Sequence, residues 1–534
     1  MYEALTRWNY FPNQKAPVGE LPPSISTRRF TPEIAELVAS VEEAQPRRRS
    51  GYDHAEYSMT RHDNIPRRLA LVHPRPYARL AKAMFSHWNE IGPLVDSENS
   101  AIKPDTHFDG RIFIMNYEDA QTKASMAMSA GFSKRFRVET DVASCFNSIY
   151  SHSIPWAVVG VEQAKAQARG MADRHWSDEI DALQRAARRN ETNGVAIGPA
   201  TSSIIVELVL GRVDANLRAK GFRFRRYIDD YIAFCATHEN AQLFLRELSE
   251  ELAAFKLHLN LQKTNVAELP EPVSDTWVIA LGTALGARIT RNSDGVDIVH
   301  ISDAIQYLDF ATRLNKDTRD GSVLKYAVGS LLPYLRDGAV FGIMEYLLSL
   351  CWHYPVLLPY LEVVAGRERH LLEPYGAELN AIVIENARNR RSDGMAWPLH
   401  LMRVLELEVS QDAVTSVLES GDCVALTLLY KTRQVDGRII DFGRRIAQQE
   451  PYERDQQWLL LYQMYIGGSI DELADRATFD ILRAHNVDFV PDGTERTEAE
   501  LYCGYLDNPF REPEERVLDF AEWMTARNNA GTQL

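Results

Sequence analysis

The spacing of apolar and polar residues changes near residue 300. Before that point, several short runs alternate apolar and polar positions, which is typical of strands with one buried face. These runs are separated by longer ones in which apolar residues recur every three or four positions, as on a helix. Strands are predicted over 136–142, 257–264 and 277–282, and a β-hairpin is predicted over 222–235.

Helices are predicted between these strands. The first follows Thr31-Pro32, a favourable helix start, and a second begins near Tyr77, after prolines that break any earlier helix. Further helices are predicted over 143–150, 204–217 and 241–255. Residues 1–30 are largely polar and contain four prolines, so an extended arm is expected there.

After residue 300, nearly every apolar run predicts a helix. The predicted helices cover 304–314, 322–335, 339–352, 355–364, 377–387, 397–407, 412–420, 423–431, 455–466, 469–484 and 514–524. Short connections and few strand signals indicate an α-helical repeat array, although no strict period is present. The pattern therefore predicts an α+β part followed by an all-α part.

Length and composition indicate a folded protein with more than one domain. The 534 residues exceed the usual size of a single core, and 45% hydrophobic residues argue against a disordered chain. The first residues lack the pattern of a secretory signal, and no apolar run approaches the ~18 residues of a membrane span. Five cysteines lie far apart without a CxxC pair, which argues against disulfides and zinc and suits a reducing cytoplasm.

The net charge at first argues against a nucleic-acid partner. The chain carries a formal charge of −15, but the excess of acid is uneven. Residues 1–269 contain 34 Lys and Arg against 33 Asp and Glu, so the excess of acid lies entirely in the second half. The first half is therefore the less repulsive surface for phosphate groups.

Two adjacent carboxylates lie at the centre of the predicted hairpin. Asp229 and Asp230 are flanked by apolar, β-prone residues, and Asp tolerates the backbone of tight turns. Two carboxylates ~4 Å apart repel by ~4 kcal/mol at an effective dielectric of ~20. A divalent cation would turn this repulsion into attraction, whereas a solvated turn is the simpler interpretation of the pair alone.

A third carboxylate and a lysine come from other predicted strands. Asp141 comes near the end of the strand over 136–142, a natural position for a metal ligand and equally for a helix N-cap. Lys263 is near the end of the strand over 257–264, where its ammonium group could neutralise or protonate a pyrophosphate. The glycine-bearing turn at 194–203 opens a helix whose N–H groups could face a phosphate, although a plain loop-to-helix junction fits equally well.

Arginines are concentrated upstream of these groups. Arg67 and Arg68 are followed by Arg75 and Arg79, and the planar guanidinium group suits triphosphate oxygens. The basic run at 47–49 is either a solvated loop or another phosphate contact.

In chain order, these features are the parts of a two-metal phosphoryl-transfer site. Asp141 and Asp229 can bridge two Mg²⁺ or Mn²⁺ ions, one activating the attacking hydroxyl and one holding the triphosphate and leaving group. Each residue alone has a structural explanation. The ordered set favours a nucleotidyltransferase.

The same residues resemble the motifs of reverse transcriptases. TDVASCFNSIY resembles motif A, GVAIGPATSS motif B, YIDD motif C, LHLNLQKT motif D, and Ala280–Gly282 the primer grip. The resemblance spans roughly residues 60–290 and implies fingers and palm. It implies that the metal ions are held by Asp141, Val142, Asp229 and Asp230.

The resemblance also implies which residues surround the nucleotide. Phe146 occupies the position of the steric gate against a ribose 2′-OH, which implies dNTPs as substrates. The other nucleotide-binding positions that it implies are Ile197, Gly198, Arg67 and Arg68. Many templated enzymes of the family have Gln where this chain has Ile197, so a polar contact is absent and untemplated synthesis is favoured.

Three further segments resemble bacterial abortive-infection and defence-associated reverse transcriptases: SIYSHSIPWAVVG, IGPATSSIIVELVL and VHPRPYARL. In that group a C-terminal helical repeat domain replaces the conventional thumb. The resemblance implies protein-primed, template-independent synthesis in the bacterial cytoplasm, single-stranded DNA attached to a protein hydroxyl, homo-oligomeric assembly and protection from phage. Tyr10 in the expected arm is a candidate attachment site, with a packed aromatic as the favoured alternative.

These expectations divide the chain into three parts. Residues 1–60 are expected to form an N-terminal arm and helix, and residues 61–295 reverse transcriptase fingers and palm. Residues 296–534 are expected to form a HEAT-like α-helical repeat domain, giving an α+β fold followed by an all-α domain. Two alternatives stay open: a templated RNA-directed DNA polymerase of the retron or maturase type, and a non-catalytic scaffold with a decayed palm.

Overall fold

The structure is a computed structural model. It describes residues 1–12, 18–42, 47, 49–61, 64–105, 110–113, 127–272, 275–318, 322–367, 369–432, 435–492 and 522. None of the helices in these ranges has the length and apolar character needed to cross a membrane. Four cysteines fall within the ranges, and all four are buried thiols.

The strands of the described residues form three antiparallel sheets. They are β1 (His54–Thr60), β2 (Pro66–Val72), β3 (Phe136–Asp141), β4 (Phe224–Tyr227), β5 (Asp230–Cys235), β6 (Asn265–Glu268), β7 (Thr290–Arg291) and β8 (Asp297–Ile298). β1 pairs with β2, and β7 pairs with β8. The central sheet has the order β4-β5-β3-β6 and is antiparallel throughout.

Helices surround the central sheet and make up most of the C-terminal half. Up to residue 286 they are a π-helical turn (Ala4–Trp8), α1 (Pro32–Ala39), α2 (Pro74–Ser86), α3 (Trp88–Val95), α4 (Cys145–Ser148), α5 (Ser153–Val159), α6 (Val161–Ala168), α7 (Trp176–Ala186), α8 (Ala200–Ala219), α9 (His238–Ala254) and α10 (Thr276–Gly286). Beyond residue 300 they are α11 (Ile301–Asp317), α12 (Val323–Leu331), α13 (Asp337–His353), α14 (Pro359–Arg367), α15 (Gly376–Arg388), α16 (Ser392–Leu405), α17 (Gln411–Ser420), α18 (Cys423–Tyr430), α19 (Gly437–Ala447), α20 (Pro451–Gln456), α21 (Trp458–Ile466) and α22 (Arg476–Ala484).

Two of the predicted strands are wrong. Residues 257–264 form no strand: Leu259 makes a single antiparallel bridge to Val142, and the N–H of Lys263 donates to the carbonyl of Asn260 at 3.1 Å, which closes a turn before β6 begins. Residues 277–282 belong to the helix α10, so the predicted primer-grip residues Ala280–Gly282 are helical. In α10 the residues that bury their side chains are Leu281 and Leu285, which are one helical turn apart.

The expected extended arm at residues 1–30 is also wrong. Leu5, Tyr10, Phe11 and Phe30 are each at most 1% exposed and belong to the larger hydrophobic cluster of the protein. The hydroxyl of Tyr10 donates to the carbonyl of Val72 at 2.5 Å. The apolar area of these side chains outweighs the signal from the prolines, so the segment is part of the interior.

The segment before α2 differs from its prediction in two ways. α2 begins at Pro74 rather than near Tyr77, with the proline in the first turn, where a missing N–H has no cost. Arg67 and Arg68 lie on β2, which pairs with β1 as a hairpin. The predicted boundary between residues 60 and 61 falls within this hairpin.

The hairpin of β1 and β2 is docked on the C-terminal helices. The N–H of Ser58 donates to Oγ of Ser392 at 2.8 Å, and that of Thr60 donates to Oδ2 of Asp393 at 2.9 Å. Ser392 and Asp393 are the first two residues of α16. These bonds satisfy donors on the edge of a two-stranded sheet and fix the hairpin relative to the helical region.

Two hydrophobic clusters form the interior. The larger joins the N-terminal segment and the central sheet to residues between Val383 and Val490. The smaller is built from residues between Leu281 and Leu405. The chain therefore leaves the larger cluster after Leu257 and returns to it from Val383 onwards.

The predicted helical character beyond residue 300 is confirmed within the described ranges. Several predicted helices differ in extent: 322–335 ends as the 3-10 turn Leu332–Tyr334, 355–364 begins as the 3-10 turn Pro355–Leu357, 455–466 is divided between α20 and α21, and only Arg476–Ala484 of 469–484 is helical. The helix predicted over 514–524 lies outside the described residues except for Glu522. The HEAT-like repeat organisation and the three-part division of the chain stay predictions.

Candidate active site

The predicted hairpin is present, and Asp229 lies in its turn. β4 and β5 pair with Tyr227 opposite Asp230, which leaves Ile228 and Asp229 as a two-residue turn. Ile228 has a left-handed backbone with a φ of 58°. For a β-branched residue this conformation costs roughly 1–2 kcal/mol, so neighbouring contacts have to stabilise the turn.

Asp141 meets this turn at one end of the central sheet. β3 lies beside β5 with Asp141 opposite Asp230. The N–H of Val142 donates to the carbonyl of Asp229 at 3.1 Å, so the turn is bonded to the chain that carries Asp141. The structure thus brings the three predicted carboxylates together.

The negative charge of each aspartate makes ionisation of its neighbours less favourable. Burial raises the pKa of Asp229, and the charge of Asp141 raises it further. Burial, followed by the charge of Asp229, raises the pKa of Asp230 to about 6. Asp230 is solvent-exposed, so water screens part of this repulsion. Carboxylates arranged in this way are stabilised when a cation binds among them.

Lys263 is bonded to Asp141, although it precedes β6 rather than ending a strand. Its Nζ lies 2.6 Å from Oδ2 of Asp141, and this hydrogen bond raises the pKa of the lysine. Oδ1 of Asp141 is buried and has no hydrogen-bond partner among the described residues. A buried carboxylate oxygen that lacks a donor fits a divalent cation such as Mg²⁺, which prefers oxygen ligands.

Phe146 and Ile197 are connected through the backbone. The N–H of Val195 donates to the carbonyl of Phe146 at 2.8 Å, and the N–H of Ala70 in β2 donates to the carbonyl of Ile197 at 2.9 Å. Both predicted nucleotide-binding side chains are partly buried against the larger hydrophobic cluster. α4, the glycine-bearing turn and β2 therefore form one continuous wall.

Gly198 is covered by the N-terminal segment. Its φ is 128°, and a Cβ at this position would lie 2.5 Å from Cγ of Pro12. The N–H of Ala200 donates to the carbonyl of Asn9 at 3.0 Å, which fixes the same contact from the first residue of α8. Glycine is required here both by the backbone and by the close approach of the proline.

Of the two predicted arginines, Arg67 interacts with the aspartates. Its charge lowers the pKa of Asp229, which partly offsets the effect of burial. Arg68 is exposed, and its Nε lies 3.4 Å from a carboxylate oxygen of Glu56. Because neighbouring residues of a strand point to opposite faces, Arg67 and Arg68 cannot both approach the same site.

Arg61 interacts with Asp229 but was not predicted from the sequence as a residue of the site. It directly follows β1, and its charge interacts with that of Asp229. The alternating run over 54–60, which places Arg61 at the tip of a hairpin, is the signal that identifies it.

A second cluster of potential metal ligands lies elsewhere in the fold. His73, Asp455 and Asp475 place ligand atoms within 4.8 Å of one another. Arg47 from the basic run already supplies a cation, since its guanidinium lies 2.6 Å from Oδ2 of Asp455 and 3.3 Å from Oδ2 of Asp475. Arg47 is therefore part of an ion-pair network with the C-terminal helices, and neither predicted role, solvated loop nor phosphate contact, describes it.

The histidine in this cluster contacts the ion pairs through one ring nitrogen. The N–H of Arg75 donates to Nδ1 of His73 at 3.3 Å, and Nε2 of His73 lies 3.8 Å from Oδ2 of Asp475. Because Arg47 already pairs with both carboxylates, the cluster fits a network of ion pairs, and the three aspartates fit a cation better.

An antiparallel sheet that brings carboxylates from two strands to one end is suited to hold metal ions for phosphoryl transfer. Residues 102–308 match the family model described as reverse transcriptase (RNA-dependent DNA polymerase). This range contains the three aspartates, Lys263 and the predicted nucleotide-binding residues of the wall, whereas Arg67 and Arg68 lie outside it. The match supports a reverse transcriptase-type polymerase domain in this part of the chain.

Among solved structures, the chain is similar to apo telomerase from Candida tropicalis. The similarity covers 75% of this chain and 70% of that chain, with 10% sequence identity and a TM-score of 0.30. No curated protein matches the chain.

Proposed function

We propose that this chain is a DNA polymerase of the reverse transcriptase family that adds dNTPs by two-metal phosphoryl transfer. The observation that carries the proposal is the meeting of Asp141, Asp229 and Asp230 at one end of the sheet, with Lys263 bonded to Asp141. A buried acceptor without a donor costs about 1–3 kcal/mol, and a scaffold that bound no cation would gain nothing from it.

The proposed roles follow from these contacts. Asp141 and Asp229, with Asp230 in support and the carbonyl of Val142, would hold Mg²⁺ or Mn²⁺. When bound, the ions activate the attacking hydroxyl and neutralise charge on the triphosphate. Lys263 stays charged at neutral pH because its hydrogen bond to Asp141 raises its pKa, so it is suited to neutralise or protonate the leaving pyrophosphate.

Substrate choice is assigned to the wall beside the aspartates. Phe146 is the proposed steric gate against ribose, and Arg67 is the proposed contact to the triphosphate. Ile197 offers no polar side-chain group, so this position supplies no side-chain hydrogen bond to a base. This observation supports synthesis without a template.

The biological part of the proposal rests on the resemblance to defence-associated enzymes. It comprises protein priming, a single-stranded DNA product attached to a protein hydroxyl, homo-oligomeric assembly and protection of a bacterial host from phage. Tyr10 is an unsuitable attachment site, because its ring is fully buried and its hydroxyl is bonded to the carbonyl of Val72.

A labelling experiment tests the proposal. Purified protein is incubated with labelled dNTPs and Mg²⁺ in the absence of nucleic acid and separated on a denaturing gel. We expect label to stay with the wild-type protein and to be lost in the variant Asp229→Asn. Asp441→Asn is the matched control, since the side chain of Asp441 is 79% exposed on α19.

Other outcomes identify the alternatives. Extension of a primer annealed to RNA, without labelled protein, would favour a templated polymerase of the retron or maturase type. Undiminished phage protection in cells that carry Asp229→Asn would favour the non-catalytic scaffold.

A further inference from the structure

A buried arginine lies two residues before the aspartate turn. Arg226 in β4 is 0% exposed, and its guanidinium contacts two buried carboxylates of α8. Its Nη1 and Nη2 lie 2.8 and 2.9 Å from the two carboxylate oxygens of Glu207. Its Nε and Nη2 lie 3.0 and 2.8 Å from Oδ2 of Asp214.

The fifth donor of this guanidinium goes to the turn itself. Nη1 of Arg226 also donates to the backbone carbonyl of Ile228 at 2.7 Å. An arginine has five N–H donors, and here each one has an acceptor. The orientation of the group is therefore fully determined by Glu207, Asp214 and the turn.

The hydrogen bond to the carbonyl of Ile228 holds the peptide group between Ile228 and Asp229. Ile228 adopts a left-handed backbone that a β-branched residue avoids, so this conformation needs support from outside the turn. The carbonyl on the other side of Asp229 accepts from the N–H of Val142. The peptide groups before and after Asp229 are thus each held by a hydrogen bond.

The total charge of Arg226, Glu207 and Asp214 rules out a direct electrostatic attraction between this group and the aspartates of the site. One guanidinium faces two carboxylates, so the group as a whole is negative and does not attract the aspartates of the site or replace a cation there. Its effect on Asp229 is geometric, through the carbonyl of Ile228.

We propose that Arg226 is a positioning residue that holds Asp229 in its metal-binding orientation through the carbonyl of Ile228. This inference rests on the proposed function, because it assumes that Asp229 binds a metal ion. Lysine cannot take the role, since its three donors share one nitrogen and cannot span two carboxylates and a carbonyl.

Mn²⁺ binding, followed by the electron paramagnetic resonance signal of the free ion, tests the inference without requiring polymerase activity. The difference between wild type and Asp229→Ala isolates the ions bound at the turn. We expect Arg226→Lys to weaken this Mn²⁺ affinity at least tenfold. Ser97→Ala is the matched control, because Oγ of Ser97 donates to the same Asp214 at 2.9 Å, and we expect its affinity to stay within twofold of wild type.

The outcomes separate this inference from the proposed function. If Asp229→Ala loses Mn²⁺ and Arg226→Lys binds it like wild type, the positioning role is wrong and the proposed function stands. A lower melting temperature of Arg226→Lys with unchanged Mn²⁺ affinity also overturns the positioning role, since it reveals only a structural one. If wild type and Asp229→Ala bind equally, the metal site is wrong and both proposals fall.

A second variant covers the case in which Arg226→Lys does not fold. Glu207→Gln keeps the size of the side chain and removes one of the acceptors that orient the guanidinium. We expect Mn²⁺ affinity to fall about threefold, and an unchanged affinity would overturn the inference.

Discussion

The two carboxylate oxygens of Asp141 have different surroundings. Oδ2 is bonded to Lys263, whose side chain is 65% exposed, whereas Oδ1 is buried without a hydrogen-bond partner among the described residues. The exposed lysine has room to move, but the aspartate, with 8% of its side chain exposed, is held by the sheet. Asp141 therefore combines a fixed carboxylate oxygen with an adjustable positive charge beside it.

The proposed steric gate, Phe146, gives a prediction about a single residue. If its ring blocks the ribose 2′-OH, the variant Phe146→Ala will accept NTPs, and the ratio of kcat/KM for dNTP over NTP will fall about 10- to 200-fold. Steady-state kinetics with one matched pair of nucleotides measure this ratio.

Phe146→Tyr is the control for the gate, because it keeps the ring and should keep most of the discrimination. An unchanged ratio in Phe146→Ala would remove Phe146 from the nucleotide site.

The aspartates that meet at the end of the sheet were predictable from the sequence as candidate site residues, and the buried residues that contact their surroundings were not. Asp229 and Asp141 stand in patterns that need carboxylates, so the motif itself reveals them. Arg226 is one of three arginines within four residues, and nothing in the sequence distinguishes the buried one from its neighbours. Pro12 is a similar case, since its contact with Gly198 joins positions that are far apart in the chain.

At the scale of elements, the docking of β1 on α16 depends on one buried carboxylate. Asp393 is 3% exposed, and its Oδ2 accepts from both the N–H and the hydroxyl of Thr60, at 2.9 and 2.5 Å. Burial raises the pKa of Asp393 to about 6, from an ordinary value of 3.8. The attachment of the hairpin is therefore sensitive to pH.

The sign of this sensitivity follows from proton binding. Between pH 4 and 6 the folded state holds the proton of Asp393 more tightly than the unfolded state, so stability falls as pH rises through this window. The shift corresponds to a loss of up to about 3 kcal/mol. We expect the variant Asp393→Asn to lack this part of the decrease when free energies of unfolding are compared at pH 4.5 and 7.

Asp412→Asn serves as the control, because Asp412 is exposed on the next helix, α17. The control should retain the wild-type dependence on pH. An Asp393→Asn variant with that same dependence would show that the carboxylate does not titrate in this range.

Long elements were predicted better than short ones. α9 and α13 have several turns of consistent spacing, so few alternatives compete with a helix. The run over 277–282 is apolar and short, and such a run fits a buried strand and a helix equally well. The error at 257–264 has another cause, since the turn there is closed by a backbone bond between Lys263 and Asn260.

At the scale of the whole molecule, the N-terminal segment belongs to the interior. Tyr10 stacks on Tyr77 with ring centroids 3.9 Å apart, and Phe11 lies 5.5 Å from Phe489. The segment thus joins α2 to the C-terminal end of the larger cluster. Its role could not be predicted from local composition, because the partners of these rings are brought together only by the fold.

Deletion of residues 1–30 tests this role. We expect the truncated chain to lose soluble, cooperatively folding protein, because each large buried side chain that is removed costs about 3–5 kcal/mol. Soluble yield and thermal unfolding by circular dichroism measure the effect. Tyr10→Phe is the control, since it loses only one hydrogen bond, worth ~1 kcal/mol, and should still become labelled with dNTPs. A truncated protein as stable as wild type would show that the segment contributes nothing to the core and would favour the extended arm.

The return of the chain to its larger hydrophobic cluster has a consequence for synthesis on the ribosome. Residues near Val490 complete the core that the first 257 residues begin, so the nascent polymerase half exposes apolar surface until its last partners emerge. At 5–20 residues per second, the interval lasts roughly 10–50 s. During that time the three aspartates have no finished fold around them, so any cation site that they form stays incomplete until the residues near Val490 have emerged.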